Sequence, residues 1–384
     1  MMARRLNSAW IRKVNASRLF HALRERPNSS QRQLGLVTGL DKATISTVIA
    51  QLTRDGLVER TERTSGRRAG RPEMGLRIPE SAGILLGVRL EPTGIDVVAA
   101  DMTGRVLDRE RAPGTRDLDQ ALDRLHDAVL KLEERLEGVP HRGIGVCIPG
   151  LVERSGHLVF APNLQWRDVP ITKRLRALFD IPVTVENDTK AAAIAERLFG
   201  TCRNVDDFIY LAAQSGVGGA LFLRGQLYRG TSGLAGEIGH MNIVADGRQC
   251  GCGAHGCLEA YVSETAILAR LGDRGLKYDD LDHVADAARG GDRGVTALLD
   301  ETGGYLALAL SGLVNTLNPT HIVLGGNLAI VADFIVPATQ RDLERLALKP
   351  LQRDVEISIS PLGADSVAMG GVALALETFL ESTP

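Results

Sequence analysis

The chain has little that would place it in a membrane or outside the cell. No apolar run among its 384 residues approaches the roughly 20 needed to span a bilayer, and no apolar segment follows Arg4 and Arg5 as in a secretion signal. It has only five cysteines, and three of them fall between Cys250 and Cys257, which favours metal binding over a disulfide framework. We therefore expect a cytoplasmic protein, long enough for two or three domains.

The net charge of −2 is small, but the charge is unevenly distributed. Residues 1–78 contain 16 Lys and Arg against 6 Asp and Glu, whereas the rest of the chain contains 29 against 41. A basic head on an acidic body indicates that the head meets a polyanion and the body does not. The charge alone is also compatible with a solvated surface that has no partner.

The basic head has the pattern of three short helices. Apolar spacing predicts the first over residues 8–26, and the capping-box sequence that begins at Ser30 predicts the start of the second. Gly39 provides a tight turn, and Asp41 caps a third helix whose buried stripe is Ile45, Val48, Ile49 and Leu52. Helices joined in this way predict a helix-turn-helix, although a three-helix protein-interaction module shares the spacing.

The exposed face of the third helix carries the candidate DNA contacts. Its short polar or cationic side chains can approach base edges and phosphates: Lys42, Thr44, Ser46 and Thr47. Residues 59–77 then predict a β-wing and linker that contain Gly70-Arg71-Pro72. This narrow, extended sequence can lay Arg71 into an A·T-rich minor groove, and a flexible linker is the alternative.

Beyond Pro79 the sequence predicts an α/β body with an internal duplication. A first series of strands, a helix over 117–137 and a buried strand is followed by a similar second series. The predicted strands are 84–90, 95–100, 106–109, 143–148, 208–213, 218–223 and, as the final one, 322–324. The duplication predicts two lobes that face a cleft, where ligands of α/β proteins usually bind.

Two constellations in the body suit the recognition of hydroxyl groups. Asn187 and Asp188 stand at a strand-to-helix junction, where they can hydrogen-bond vicinal hydroxyls and where Asp188 could act as a general base. The alternative is that Asp188 only caps the helix. Glu237 and His240 follow a glycine-rich turn over 230–236 and bring a second carboxylate and an imidazole close together.

Cys250, Cys252 and Cys257 predict a structural metal site. Three thiolates at this spacing, with a nearby histidine, suit a tetrahedral zinc site whose four positions are all filled by protein. His240 is the expected fourth ligand and His255 the competing one, while buried thiols without a metal are the alternative. Glu259 follows closely enough to point into the same cleft.

Taken together, these residues resemble the ROK family (repressors, open reading frames and sugar kinases) over nearly the whole chain. The matching motifs are Ile148-Pro149-Gly150, Pro162-Asn163-Leu164, Glu186-Asn187-Asp188, the 237–240 run and the Cys-x-Cys-Gly-x-x-Gly-Cys-x-Glu run that ends at Glu259. The head resembles that of the repressor branch, which includes regulators of xylose, glucose and N-acetylglucosamine use.

The resemblance implies a fold and a set of site residues. The expected fold is an N-terminal all-α winged helix-turn-helix (1–78) followed by an actin-like, hexokinase-like α/β body with two lobes. The first lobe is expected over 79–188, completed by a C-terminal helix over 363–384, and the second, with the zinc site and a dimerisation surface, over 189–362. The implied sugar contacts are Asn187, Asp188, Glu237, His240 and Glu259, with His240 also on the zinc.

The chain departs from the kinases of the family where these hold phosphate. Those kinases carry Asp-x-Gly-Gly-Thr after the first strand, and the corresponding residues here are Arg89-Leu90-Glu91-Pro92-Thr93. Pro92 has no N–H to donate, Glu91 would repel a nucleotide, and Arg89 cannot replace a metal-holding carboxylate. A second glycine-rich turn, over 214–219, begins with Gln214 where the kinases have glycine; it could bind phosphate, but a tight hairpin is favoured.

Three functions compete. The favoured one is a repressor that binds operator DNA as a homodimer, or as a tetramer, and whose body binds a monosaccharide or sugar phosphate as effector without phosphorylating it. The second is a sugar kinase with an appended DNA-binding head. The third is a constitutive DNA-binding protein with a purely structural body, which the retained carboxylates speak against because buried carboxylates without ligands are costly.

Overall fold

The computed structural model describes residues 8–61, 74–213 and 216–382. The head contains α1 Ser8–Glu25, α2 Gln31–Thr38, α3 Lys42–Arg54, β1 Glu59–Thr61 and β2 Gly75–Arg77. The capping box at Ser30 and the N-cap at Asp41 begin α2 and α3 as the sequence predicts, and Gly39 ends α2 in the left-handed conformation (φ 67°). Strands β1 and β2 pair antiparallel as the base of the predicted wing. The predicted contacts at Arg71 and Gln214 lie outside the described residues.

The first half of the body is built on a five-stranded sheet. Its elements are β3 Ile84–Glu91, β4 Gly94–Asp101, β5 Val106–Pro113, α4 Leu118–Arg135, β6 His141–Ile148, β7 Leu151–Val152, β8 Leu158–Ala161, β9 Trp166–Val169, α5 Ile171–Arg176, β10 Val183–Asn187 and α6 Asp188–Phe199. The strand order is β10-β6-β3-β4-β5, and β7, β8 and β9 form a small separate sheet. Sequence reasoning did not predict that small sheet, because its strands have only two to four residues.

The second half repeats the plan. Its elements are β11 Phe208–Ala213, β12 Val217–Leu223, β13 Gln226–Leu227, α7 Glu259–Val262, α8 Glu264–Gly272, α9 Leu281–Arg289, α10 Arg293–Leu317, β14 His321–Gly326, α11 Ala332–Leu346, α12 Lys349–Gln352, β15 Glu356–Ile359 and α13 Ser366–Ser382. The strand order is β13-β12-β11-β14-β15. The expectation that 322–324 forms the final strand is wrong, since β15 adds a parallel edge strand beside β14.

The two sheets have the same topology, which confirms the duplication. In each, three strands pair antiparallel in chain order and two later strands add in parallel beside the first. Helices α6 and α13 pack together and contribute to a buried core shared by both sheets. The fold is therefore the two-lobed, actin-like α/β body that the sequence predicts.

Helix α13 lies directly on the first sheet. A Cβ on Gly87 in β3 would come within 2.0 Å of the carbonyl oxygen of Ala368, and one on Gly371 within 2.4 Å of that of Gly145. Glycine at these positions lets the helix and sheet backbones touch. The segment Gly363–Ser382 is long and apolar enough to cross a membrane, but 67% of its apolar window is buried in the fold, as in a core helix.

The head packs onto the body through α1. Its Arg24 lies 5.0 Å from the ring centroid of Phe199 at the end of α6, and its Lys13 donates a hydrogen bond to the carbonyl of Glu381 in α13. Buried side chains of the head and of α6 and α13 belong to one continuous apolar core. Because α6 contacts both sheets and α13, the lobe boundary between residues 188 and 189 stays a prediction.

Candidate functional site

The junction between β10 and α6 positions the first pair of candidate sugar contacts. The side-chain oxygen of Asn187 accepts the Lys190 backbone N–H at 3.0 Å, and its Nδ2 donates to the Gly150 carbonyl at 3.0 Å. Asn187 is thus the helix cap, and the alternative that Asp188 caps the helix is wrong. Gly150 follows β6, which pairs in parallel with β10, so the two motifs meet at the carboxyl ends of neighbouring strands.

Asp188 is free to take another role. It is half-buried, and its Oδ1 accepts the Thr189 backbone N–H at 2.7 Å. Burial, with smaller contributions from the negative charges of Glu91 and Glu237, raises the pKa of Asp188 to about 6. The carboxylate is ionised at neutral pH and can accept hydrogen bonds from hydroxyl groups.

In the second pair of candidate contacts, Glu237 lies close enough to Asp188 for its negative charge to help raise the pKa of that carboxyl. Burial raises the pKa of Glu237, the positive charges of Lys190 and His240 oppose that rise, and the negative charge of Glu259 adds to it. Asp188 interacts with Glu237, and Glu237 interacts with His240 and Glu259, so the fold brings these four residues into one region. Three carboxylates with one imidazole suit a ligand rich in hydroxyl donors.

Two contacts that sequence reasoning missed tie the second half of the body to this junction. Lys190, only 1% exposed, donates from Nζ to the Gly233 carbonyl at 2.6 Å, and Arg229 pairs with Glu186 at 3.0 Å. Both partners in the second half belong to the segment that leads into Glu237. The sequence signal for the Lys190 contact was a single lysine among the alanines of α6.

His240, Cys250, Cys252 and Cys257 form a cluster that could hold a metal ion, with all ligand atoms within 4.8 Å of one another. A tetrahedral ion with bonds of about 2.3 Å to sulfur and about 2.05 Å to nitrogen places two sulfurs about 3.8 Å apart and sulfur and nitrogen about 3.6 Å apart. The Cys252 and Cys257 sulfurs lie 3.8 Å apart, and the Cys250 sulfur lies 3.7 Å from His240 Nδ1. The competing ligand His255 is not part of the cluster.

Glu259 connects this cluster to the glycine-rich turn between β11 and β12. Its Oε2 accepts the Val217 backbone N–H at 2.9 Å, and its Oε1 lies 3.3 Å from the Cys250 sulfur. A Cβ on Gly216 would come within 2.7 Å of that Oε2, so glycine permits the close approach. Strands β11 and β12 pair antiparallel, which confirms the hairpin interpretation of this turn.

An ion pair between Arg89 and Asp96 lies near the end of β3. Arg89 in β3 donates to Asp96 in β4 from Nε at 3.0 Å and from Nη2 at 2.6 Å. The two residues lie directly opposite each other in the antiparallel strand pair. Arg89 also lies 3.7 Å from Glu91. The Arg89 guanidinium is therefore already paired with carboxylates of the sheet. The negative charge of Glu91 also contributes to the raised pKa of Asp188.

The four predicted DNA contacts on helix α3 differ in their exposure and in their hydrogen bonds. Lys42, Ser46 and Thr47 are exposed, whereas Thr44 is half-buried and donates its hydroxyl to Asp41 at 2.6 Å. Thr47 donates its hydroxyl to the backbone carbonyl one turn earlier, which leaves its methyl group and one lone pair outward. The exposed trio is therefore better placed for DNA than Thr44.

Two known protein families match different parts of the chain. The ROK family matches residues 85–378, and the MarR family matches residues 13–69. A xylose repressor from Bacillus spizizenii is 29% identical over 382 residues, which cover 98% of each chain. A glucokinase from Halalkalibacterium halodurans is 31% identical over 311 residues, which cover 74% of this chain and 93% of its own. The crystal structure of a ROK family transcriptional regulator, a homologue of the E. coli MLC protein, has a TM-score of 0.85 at 25% identity, covering 97% of each chain.

Proposed function

This chain belongs to the ROK family, and we propose that it is a sugar-responsive transcriptional repressor that carries out no phosphoryl transfer. One observation carries the proposal: a helix-turn-helix head is joined to a body that keeps the hydroxyl-binding cluster but has an ion pair where the kinases hold phosphate. The similarity to a xylose repressor over 98% of each chain supports it.

The residues at the end of the first strand of the body argue against kinase activity. A kinase of this family needs a carboxylate and two glycines after its first strand, and this chain has Arg89, Glu91 and Pro92 there. Arg89 is bound to Asp96, and Glu91 adds a negative charge where nucleotide phosphates would have to approach. Asp188 then acts as a hydroxyl acceptor rather than as a working base.

The effector that fits this cluster is a neutral monosaccharide. The carboxylates of Asp188, Glu237 and Glu259 accept hydroxyl donors, whereas the nearby cations Lys190 and Arg229 are already bound to Gly233 and Glu186. Among the residues that the structure describes, a phosphate group here would meet negative charge while the cations nearby are already bound. Xylose is the first candidate, because relatives that match over 98% of the chain are xylose repressors.

The metal that suits the Cys3His cluster is zinc, which would supply a structural cross-link and no reaction chemistry. The cluster joins His240 to the segment 250–257. His240 held in this way faces the sugar with a fixed ring orientation. Glu259, which follows the last cysteine and touches Cys250, is positioned by the same segment.

The partners follow from the head. Helix-turn-helix proteins commonly read two half-sites, so we infer a homodimer on operator DNA, formed through the second lobe. Sugar in the cleft changes the angle between the lobes and thereby the spacing of the two heads. A repressor of carbohydrate genes that meets DNA and a free sugar works in the cytoplasm.

The proposal is tested by ligand binding together with turnover. Purified full-length protein is heated with xylose, glucose or N-acetylglucosamine, and a ligand at a hundredfold excess over its Kd should add about 2.7 kcal/mol to the free energy of unfolding. Asp188→Asn should abolish that stabilisation, and Asp127→Asn, an exposed carboxylate on α4, should keep it. With ATP and magnesium added, no phosphosugar should form.

Turnover of the best sugar at about 1 per second or faster, an ordinary enzyme rate, would instead establish the kinase alternative. Absence of stabilisation by every neutral sugar, in a protein that binds DNA, would leave the constitutive DNA-binding protein.

A further inference from the structure

A second cleft lies at the far end of α6 from Asn187 and Asp188, where the head meets the body. Its volume is about 480 Å³, within the range of small-molecule sites. It is lined by residues of α1, of the turn between β4 and β5, and of the end of α6, among them Arg24, Glu25, Thr103, Arg105, Phe199 and Arg203. Because α6 has 12 residues, its two ends are ~18 Å apart.

Two guanidinium groups line this cleft, those of Arg24 and Arg203. Arg24 donates from Nη2 to the Leu198 carbonyl at 2.8 Å, and Arg203 donates from Nη2 to the Phe199 carbonyl at 2.6 Å. These carbonyls belong to consecutive residues at the C-terminus of α6. The two arginines come from the head and from the body, so the cleft joins both parts of the protein.

Neither guanidinium has a carboxylate within 4.0 Å among the residues that the structure describes. Of the other charges that line the cleft, Arg105 is paired with Asp101 and Asp365 with Arg109, whereas the exposed carboxylate of Glu25 offsets part of the positive charge at Arg24. The Nε of Arg24 is buried and has no hydrogen-bond partner. A buried, charged donor without an acceptor is costly, and an anion in the cleft would remove that cost.

The surroundings of Arg24 are cationic. The pKa of Arg24 is lowered to about 10, first by burial and then by the positive charges of Arg203 and Arg197, against an opposing contribution from Glu25. Burial, followed by the charges of Arg24 and Arg197, lowers the pKa of His21 to about 3. At neutral pH the arginines therefore keep their charges and His21 adds none.

We propose that this cleft binds a small phosphorylated metabolite, with its phosphate between the guanidinium groups of Arg24 and Arg203. Paired guanidiniums are suited to the oxygens of a phosphate group. The remaining volume accommodates a body the size of a sugar. The site is separate from the hydroxyl-binding cluster, so it would give the protein a second effector.

A ligand in this cleft would contact head and body at once. Arg24 holds α1 against Phe199, and Arg203 holds the end of α6. A phosphate shared by the two arginines stabilises the docked head relative to any arrangement in which α1 has moved away. The expected consequence is a change in DNA affinity that adds to the effect of the neutral sugar.

The test is calorimetric titration of the full-length protein with glucose 6-phosphate and with inorganic phosphate at constant ionic strength, without DNA or ATP. Arg203→Gln should weaken binding of both probes by about tenfold or more, as expected for a lost hydrogen bond to a charged group. Arg24→Lys keeps the positive charge but loses the planar guanidinium with its paired N–H donors, so it should also weaken binding of both probes. Arg353→Gln, an exposed arginine after α12, should leave it unchanged.

The ratio of the two affinities tells whether the cleft takes the ester or the free ion. If Asp188→Asn abolishes binding of glucose 6-phosphate and Arg203→Gln does not, the ester binds in the sugar cluster and the proposal is wrong. It is also wrong if neither probe binds the wild type. A loss of DNA affinity in Arg203→Gln without any metabolite would assign these arginines to the DNA backbone instead. The calorimetric titrations contain no DNA, so their outcomes do not bear on the repressor function, and the DNA measurement on Arg203→Gln is made separately from them.

Discussion

Acidification should weaken sugar binding mainly through the carboxyl group of Asp188. Burial, with the charges of Glu91 and Glu237, raises the pKa of Asp188 to about 6. The ionised carboxylate accepts hydrogen bonds from two hydroxyl groups, whereas the protonated form loses acceptor capacity and must itself find an acceptor. Lowering the pH from 7.5 to 5.0 therefore removes the form of Asp188 that recognises the sugar.

The magnitude follows from the same pKa. With a pKa of about 6, ~97% of Asp188 is ionised at pH 7.5 and ~9% at pH 5.0, so the association constant for a neutral sugar should fall about tenfold. The sign for stability is opposite. Because the folded state binds this proton more tightly than the unfolded state, whose pKa is 3.8, Asp188 makes the fold more stable as the pH falls through about 6 towards 4. Asp188 therefore cannot cause the loss of affinity by unfolding the protein.

Calorimetric titration with xylose between pH 5.0 and 8.0 measures this directly. Asp188→Asn should bind weakly at every pH, with a flat profile, whereas the control Asp127→Asn should follow the wild type. The reasoning is refuted if the wild-type affinity is the same at pH 5.0 and 7.5, or if Asp188→Asn keeps the full pH dependence.

Three further predictions concern the metal, the chemistry and the DNA. Purified protein should contain about one zinc per chain, and Cys252→Ser should lose both the zinc and most of the sugar affinity. The control Cys202→Ala, outside the cluster, should keep both. Full sugar affinity in zinc-free protein would contradict this prediction. Incubation with ATP, magnesium and the best sugar should give no phosphosugar above background by mass spectrometry, and steady turnover would overturn the reading of the phosphate loop. In DNA titrations at several salt concentrations, Lys42→Ala should weaken all duplexes alike and reduce the salt slope by about one, whereas Thr47→Ala should weaken only the cognate duplex; an unchanged preference in Thr47→Ala would remove it from base recognition.

The features that could be predicted from the sequence are mostly local ones. The capping box at Ser30, the cap at Asp41 and the buried stripe of α3 depend on residues three or four positions apart, and the structure has all of them. The spacing of the cysteines likewise predicted three members of the cluster that could hold a metal ion. The choice of His240 over His255 depended on the place of His255 inside the loop between Cys252 and Cys257, and the folded chain pairs Asn242 with Cys257, which brings His240 beside the cysteines.

The features that could not be predicted depend on residues far apart in the chain. The ion pair of Arg89 with Asp96 depends on the register of β3 against β4, and the contact of Arg24 with the end of α6 joins residues 174 positions apart. Strand β15 is partly exposed and has only four residues, so its short apolar alternation carries little signal until β14 lies beside it. Asn187 rather than Asp188 caps α6 because Gly150 accepts its amide, which no local pattern shows.

The central claim is that sugar bound by the body changes the affinity of the head for DNA. The most direct measurement is a fluorescence anisotropy titration of the full-length protein on a duplex selected from a random pool, with and without saturating xylose, for the wild type and for Asp188→Asn. The account predicts that xylose weakens DNA binding by the wild type about tenfold or more, a coupling free energy of about 1.4 kcal/mol, and leaves Asp188→Asn unchanged. Equal affinities of the wild type with and without every sugar that the body binds would contradict it.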